Sequence, residues 1–193
     1  SWIKIKNDTD NYKGYIIKKK FLPNQKNTHK IDDLYASIYS NPNNKSKTNK
    51  KMSFGSKIKV IKKQGSFYKF DNFWIKKKFL KKINYRRSNI FKNIKIFVNI
   101  KYKWGGKNYN GLDCSGLVQL FLNFNNIFCP RDTSDQIKYF KKKIKINKIK
   151  KNDLIFWKGH VAIVISKTKA IHAYGPLNKV VIMPIKQMIA RIH

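Results

Sequence analysis

The stretch YKWGGKNYNGLDCSGLVQLF, residues 102–121, places Gly105, Gly106, Gly111 and Gly116 around Cys114 in a chain of 193 residues that has only two cysteines. Elsewhere the sequence is dominated by lysine, asparagine and isoleucine. Glycines at this density let backbones pass close to one another or adopt left-handed turns. From Leu112 onward the apolar residues take a helical spacing, with Leu117, Leu120, Phe121 and Phe124 on one face and Asn125-Asn126 as the stop. Cys114 therefore stands at a helix start, where unpaired N–H groups and the helix dipole favour a thiolate. A cysteine nucleophile also needs a base, and the base needs an orienting group.

The histidines His160 and His172 lie in the adjacent strand-like runs HVAIVIS and KAIHAYG, joined by a short turn around SKTK. Both positions are even. An odd-length hairpin loop therefore brings them to one face of the sheet, and an even one separates them. His29 lies far upstream and His193 ends the chain. Cys129, in NNIFCPRD, has no helix start behind it and is expected in the core. The runs DLIFW, HVAIVIS and KAIHAYG, followed by KVVIMPI, make the C-terminal part a sheet. Helix followed by sheet is an α+β arrangement. Upstream, NYRRSNIFKNIKIFVNIKY, residues 84–102, has Ile90, Phe91, Ile94, Phe97 and Val98 at helical spacing with Ser88 as its N-cap, and predicts a helix.

The first 83 residues read differently. Alternation in Lys57-Ile58-Lys59-Val60 and Tyr68-Lys69-Phe70 predicts short half-buried strands, with turns at Gly65 and Asp71-Asn72. A spacing of about ten residues between turns points to a small barrel. WIKI and GYIIKKKFL flank NDTDN, so Asp8 and Asp10 are expected in a polar hairpin turn.

Lysine and arginine total 44 against 9 aspartates and no glutamate, a net charge of +35. Forty of the 44 are lysine. Phosphate recognition favours arginine's bidentate fork, so A/T-rich coding explains the charge better than a nucleic-acid partner does. No apolar run approaches the ~20 residues that span a bilayer. The opening SWIKIKND has no signal-peptide core. Two cysteines are too few for a disulfide framework, so free thiols and a reducing compartment are expected.

Taken together, YKWGG, GLDCSGLVQ, PRDTSDQ, DLIFWKGHVAIVI and IHA resemble the NlpC/p60 family of papain-like cysteine peptidases over residues 100 to 190. The resemblance implies Cys114 as nucleophile, His160 as general base, His172 as its orienting partner and Tyr102 beside an oxyanion. DCSG with PRDTSDQ and the upstream THKI, FGSKIKV and FWIKKKFL resemble the branch that carries bacterial SH3-like domains. That branch cuts the γ-D-glutamyl to diamino acid bond of cell-wall peptides. In it, Asp113 and Ser115 would bind the free amino end of L-Ala-D-Glu, and Thr133 would line the same pocket. The architecture implied is α+β: a partial SH3-like domain at 1–30, an SH3-like domain at 31–83 and a papain-like peptidase domain at 84–193. The first of these starts partway through, so the branch's acidic contributor to the amine pocket is unassigned. The end at RIH falls short by a strand. No metal or cofactor is implied. The partner implied is a peptidoglycan-derived peptide. A free-amine pocket points to fragments inside the cell, or to the periplasm if a leader precedes residue 1. The contrasting expectation is a catalytically weak protein on the same fold that binds cell wall or another polyanion. Acyl transfer rather than hydrolysis is open on the same residues.

Overall fold

The turn residues between WIKIK and KGYII close an antiparallel hairpin of β1 (Trp2–Lys6) and β2 (Lys13–Ile17), in register from Trp2 opposite Ile17 to Lys6 opposite Lys13. Inside the turn the Asn7 side chain accepts from Thr9 N–H at 2.9 Å, Asp10 accepts from Tyr12 N–H at 3.1 Å, and Asn11 takes a left-handed conformation. The computed structural model describes residues 1–19, 21 and 25–192. It divides into two compact units, one joining Ser1–Lys18 to the chain from Arg87 onward, the other Lys19–Arg86. This differs from the three segments expected at 1–30, 31–83 and 84–193: the first hairpin belongs with the C-terminal unit.

The second unit is all β. Its strands are β3 (His29–Ile31), β4 (Tyr35–Tyr39), β5 (Lys47–Ser53), β6 (Lys57–Ile58), β7 (Lys62–Gln64), β8 (Phe67–Phe70), β9 (Phe73–Lys76) and β10 (Leu80–Lys82). They form a five-stranded sheet ordered β5-β4-β9-β8-β7 and a three-stranded sheet ordered β10-β3-β6. The period-two pattern sends Ala36, Ile38, Tyr68, Phe70 and Ile75 inward against Ile31, Ile58 and Leu80. Gly65 and Asp71 both take positive φ at the expected turns. Lys30 is fully buried, and its ammonium donates to the Tyr85 carbonyl at 2.6 Å.

No long helix forms over 84–102. The segment is a series of turns with one 3₁₀ turn at Ile94–Phe97, and Ser88 caps nothing. Asn93 and Asn99 sit in the left-handed region at φ 65° and 68°, which an α-helix cannot continue through. Helical spacing nevertheless marked the right residues, because Phe91, Ile94 and Phe97 are all buried. The rings of Phe91 and Phe97 pack on Phe121 at 5.8 and 5.5 Å.

The rest of the first unit follows the sequence closely. A two-residue ladder joins β11 (Lys107–Asn108) to β12 (Gly111–Leu112) and leads directly into α1 (Cys114–Phe124). Every α1 residue but Asn123 is buried, as expected of a helix that is apolar on more than one face. Asn126, at φ 58°, ends it as the sequence indicated. Next comes α2 (Thr133–Tyr139), which the strand-oriented reading did not anticipate. Four antiparallel strands in sequential order follow: β13 (Leu154–Trp157), β14 (His160–Val164), β15 (Lys169–Tyr174) and β16 (Lys179–Pro184). The short α3 (Ile185–Arg191) packs its Ile185 and Met188 against that sheet. α1 lies across β14 and β15. Burying Leu117, Val118 and Phe121 there stabilises the unit by about 1.5–3 kcal/mol each. Among the described residues no helix is long and apolar enough to cross a membrane.

Candidate active site

The glycines of the 102–116 stretch are there because backbones meet. A Cβ on Gly116 would lie 2.6 Å from the Gly106 carbonyl oxygen and 2.9 Å from Asp113 Oδ1. One on Gly106 would lie 2.5 Å from the Gly111 oxygen. No side chain fits at either position, so the loop can close tightly over the first turn of α1.

Asp113 is the residue that ties loop to helix. It is the N-cap of α1, and its Oδ1 accepts from Gly116 N–H at 2.7 Å. Its Oδ2 accepts from Gly105 N–H at 2.8 Å. Arg131 grips both oxygens, Nη1 to Oδ1 at 3.0 Å and Nη2 to Oδ2 at 2.6 Å. Arg131 also donates to Ser115 Oγ at 3.0 Å. Burial works to lower the Arg131 pKa, but the hydrogen bond and charge of Asp113 outweigh it and raise it. Asp113 and Ser115 therefore lie side by side, as the sequence placed them, with the carboxylate already held by arginine.

Cys114 is the first residue of α1 and is nearly buried. Its sulfur lies 3.8 Å from Thr133 Oγ1, at the start of α2. Burial pushes its thiol above the ordinary range. Hydrogen bonds from the Val161 backbone, the Thr133 hydroxyl and the Ser115 backbone pull the other way. The helix-start argument for a thiolate is thus outweighed by desolvation, and the thiol rests protonated.

The β14–β15 register pairs Ile163 with Ile171 and Val164 with Ala170. Extended outward, it puts His160 and His172 on one face, offset by one diagonal step. Their rings meet edge to face at 5.0 Å, with His160 Nε2 only 2.7 Å from His172 Nδ1. Burial lowers His160 to about 4, and burial together with His160 lowers His172 to about 3, so both are neutral near pH 7. Tyr174 stacks on His172 at 4.9 Å and fixes its plane. His160 leaves Nδ1 as its remaining nitrogen, and Val161, the next residue, is the one whose backbone reaches the Cys114 sulfur.

A cavity of about 550 Å³ opens beside Cys114, with Tyr102, Thr133 and Gly159 also in its walls, while His160 and His172 do not line it. Burial, then the nearby Cys114 and Asp113, raises the Tyr102 pKa, which keeps its hydroxyl a hydrogen-bond donor. Asp132, next to Arg131 in PRDTSDQ, also lines this wall, and the sequence reading did not assign three further residues to it: Asp10, Tyr12 and Lys107. Asp10 is buried at the hairpin turn. Its Oδ2 accepts from Gln119 Nε2 at 3.1 Å and lies 3.9 Å from Lys107 Nζ. Lys107 also donates to Gln119 Oε1 at 2.6 Å, and burial lowers its pKa against the pull of Asp10. A fully buried glutamine on a helix was the available signal, since such a group needs partners. Asp132 is exposed to the cavity at the α2 N-cap position and makes no side-chain cap bond. Cys129 is fully buried and its thiol is pushed up to about 12, as befits a core residue. Among the described residues no three His, Cys, Asp or Glu converge as metal ligands.

Residues 99–191 match the sequence profile of the NlpC/P60 family. A dipeptidyl-peptidase 6 of Lysinibacillus sphaericus is 34% identical over 87 residues, 45% of this chain and 32% of that protein. A probable endopeptidase NlpC homolog of Haemophilus influenzae is 33% identical over 82 residues, 40% of this chain and 43% of that protein. The chain thus spans less than half the length of these two relatives. In fold it is similar to the crystal structure of an NlpC/P60 family protein from Bacillus cereus, with a TM-score of 0.75 at 23% identity, covering 95% of this chain and 71% of that one.

Proposed function

The chain carries an NlpC/P60 family domain across residues 99–191, and on that premise we propose that it is a cysteine peptidase hydrolysing the γ-D-glutamyl to diamino acid bond of peptidoglycan stem peptides. The observation that carries this is the 2.7 Å contact between His160 Nε2 and His172 Nδ1 beside the strand that touches Cys114. For His160 Nδ1 to accept a proton, Nε2 must carry one and donate it to His172 Nδ1. His172 then holds its own proton on Nε2, the buried nitrogen without a partner among the described residues.

Attack begins from a neutral pair. His160 Nδ1 takes the thiol proton as Cys114 Sγ bonds the carbonyl carbon. The oxyanion meets the Tyr102 hydroxyl and N–H groups at the start of α1. The C–N bond breaks, His160 returns the proton to the departing amine, and water then hydrolyses the thioester. His172 is a neutral orienter, so it positions the imidazolium without a full opposing charge.

The cavity also favours a cationic end. Asp10, Asp113 and Asp132 face it against Lys107 and Arg131, a net charge of 2 − 3 = −1 inside a protein of +35. An α-ammonium from an unblocked L-Ala would find Asp132 free of any cap hydrogen bond, and Ser115, Thr133 and Tyr12 nearby. In this reading Asp10 is the acid that the sequence left unassigned, with Tyr12 beside it in the cavity wall. The second unit, read as the SH3-like domain of this branch, would accompany the peptidase domain. The enzyme would act on soluble fragments inside the cell.

Incubation with L-Ala-γ-D-Glu-diaminopimelate, free or N-acetylated, tests this. L-Ala-γ-D-Glu should be released only from the free form, and release from neither would overturn the reading. The near-burial of Cys114 favours the second reading, a weak binding protein on the same fold. That reading expects Cys114 to be alkylated no faster than Cys129.

A further inference from the structure

Between Phe140 and Asn152 the first unit carries KKKIKINKIKK, residues 141–151, with seven lysines in eleven residues and no acid. Over the whole chain lysine is 40 of 193, about one residue in five. Compositional bias that accounts for the average does not account for a threefold local excess. The segment is anchored at both ends. Phe140 packs on Phe156 at 6.4 Å, and Ile149 packs on the core under the four-stranded sheet. Between these anchors every residue from Lys141 to Lys148 is exposed, and Ile144 and Ile146 are 46% and 57% accessible. The patch continues onto α2. Ile137 and Tyr139 stand exposed there, and Tyr139 makes an edge contact with the exposed Phe128 at 5.3 Å.

A single exposed apolar side chain is ordinary; five adjoining a lysine run are a surface of a definite kind. Lysines alone would fit any polyanion. Isoleucines and aromatic rings gain nothing from a hydrated phosphate polymer, but they gain from an acyl boundary that is also negatively charged. We propose that this surface, Phe128 with Ile137–Lys151, docks on an anionic lipid bilayer, lying on it with Ile144 and Ile146 inserted and the lysines at headgroup level. The proposal is independent of the peptidase reading.

Co-sedimentation of the full chain with vesicles tests it. Binding is expected to phosphatidylcholine mixed with phosphatidylglycerol, not to phosphatidylcholine alone, and to weaken with salt. Each lysine near such a surface is worth about fivefold, so K141Q/K142Q/K143Q should lose on the order of a hundredfold. I144N/I146N should lose about tenfold or more with charge unchanged. K57Q/K62Q/K63Q in the second unit should bind within about twofold of the parent, since those lysines lie outside the surface. If the isoleucine variant binds like the parent, or the second-unit variant falls as far as K141Q/K142Q/K143Q, net charge alone is responsible and the proposal fails. It fails equally if soluble polyphosphate binds the parent and the isoleucine variant alike and displaces the parent from vesicles.

Discussion

The loop from Tyr102 to Gly116 and the sheets of the second unit come from one biased sequence, yet they tolerate the bias differently. In the second unit, lysine fills many outward-facing strand positions, as at Lys47, Lys51, Lys57, Lys62 and Lys63. A half-buried strand asks only that alternate residues be apolar, and edge strands gain protection from lysine. The loop asks much more. Gly106 and Gly116 have no room for a Cβ, Asp113 satisfies two backbone N–H groups, and Arg131, one of only four arginines, must present two parallel donors. Where geometry fixes the residue, composition does not reach it.

That contrast can be broken in several ways. The largest expected effect is at the sulfur: Cys114→Ala should lower dipeptide release by at least about a thousandfold, whereas Cys129→Ser should leave the rate nearly intact and lower stability by about 1–2 kcal/mol. Acid comes next. Unfolded histidine titrates near 6.5, while His160 and His172 in the fold titrate at about 4 and about 3. Between those values only the unfolded chain takes up protons. Stability that is full above pH 6.5 should therefore fall by several kcal/mol as the pH drops toward 3. Urea titrations of the parent should show this slope, and a His160→Gln/His172→Gln variant should lack most of it.

Arg131→Met strands the Asp113 carboxylate and should cost about 3–5 kcal/mol by urea denaturation, against less than about 0.5 kcal/mol for Lys62→Gln on its exposed edge. The finest test compares glycines. Gly116→Ala must displace backbone and should cost about 3 kcal/mol. Gly14→Ala, with open space around it and no left-handed backbone, should be neutral or slightly stabilising. Equal costs at the two glycines would sink the claim that close backbone approach, not turn formation, fixes glycine in the loop.

The same distinction governs how much could be read from the chain alone. The β14–β15 hairpin, α1 and its asparagine stop were legible because period and punctuation agree there. So was the histidine pair, once the hairpin parity fell the favourable way. The expected helix at 84–102 failed because apolar spacing says which residues are buried, not whether Asn93 and Asn99 will turn left-handed between them. α2 was overlooked although Asp132 precedes it and Asp135 lies in its first turn, a start signal masked by the following lysines. Asp10 and Lys107 were missed for another reason. Their pairing spans almost a hundred residues and depends on Gln119, whose amide links them.

That amide bridge has a practical corollary for anyone excising the domain by its sequence boundaries. A fragment cut at residue 99 would keep the thiol and both imidazoles but forfeit the hairpin that walls one flank of the cleft. Lys107 would be left facing water without its counter-ion, and Gln119 would keep only the Cys129 carbonyl of its two acceptors. Such a trimmed protein would be a poor stand-in for the whole, with one wall of the cleft gone.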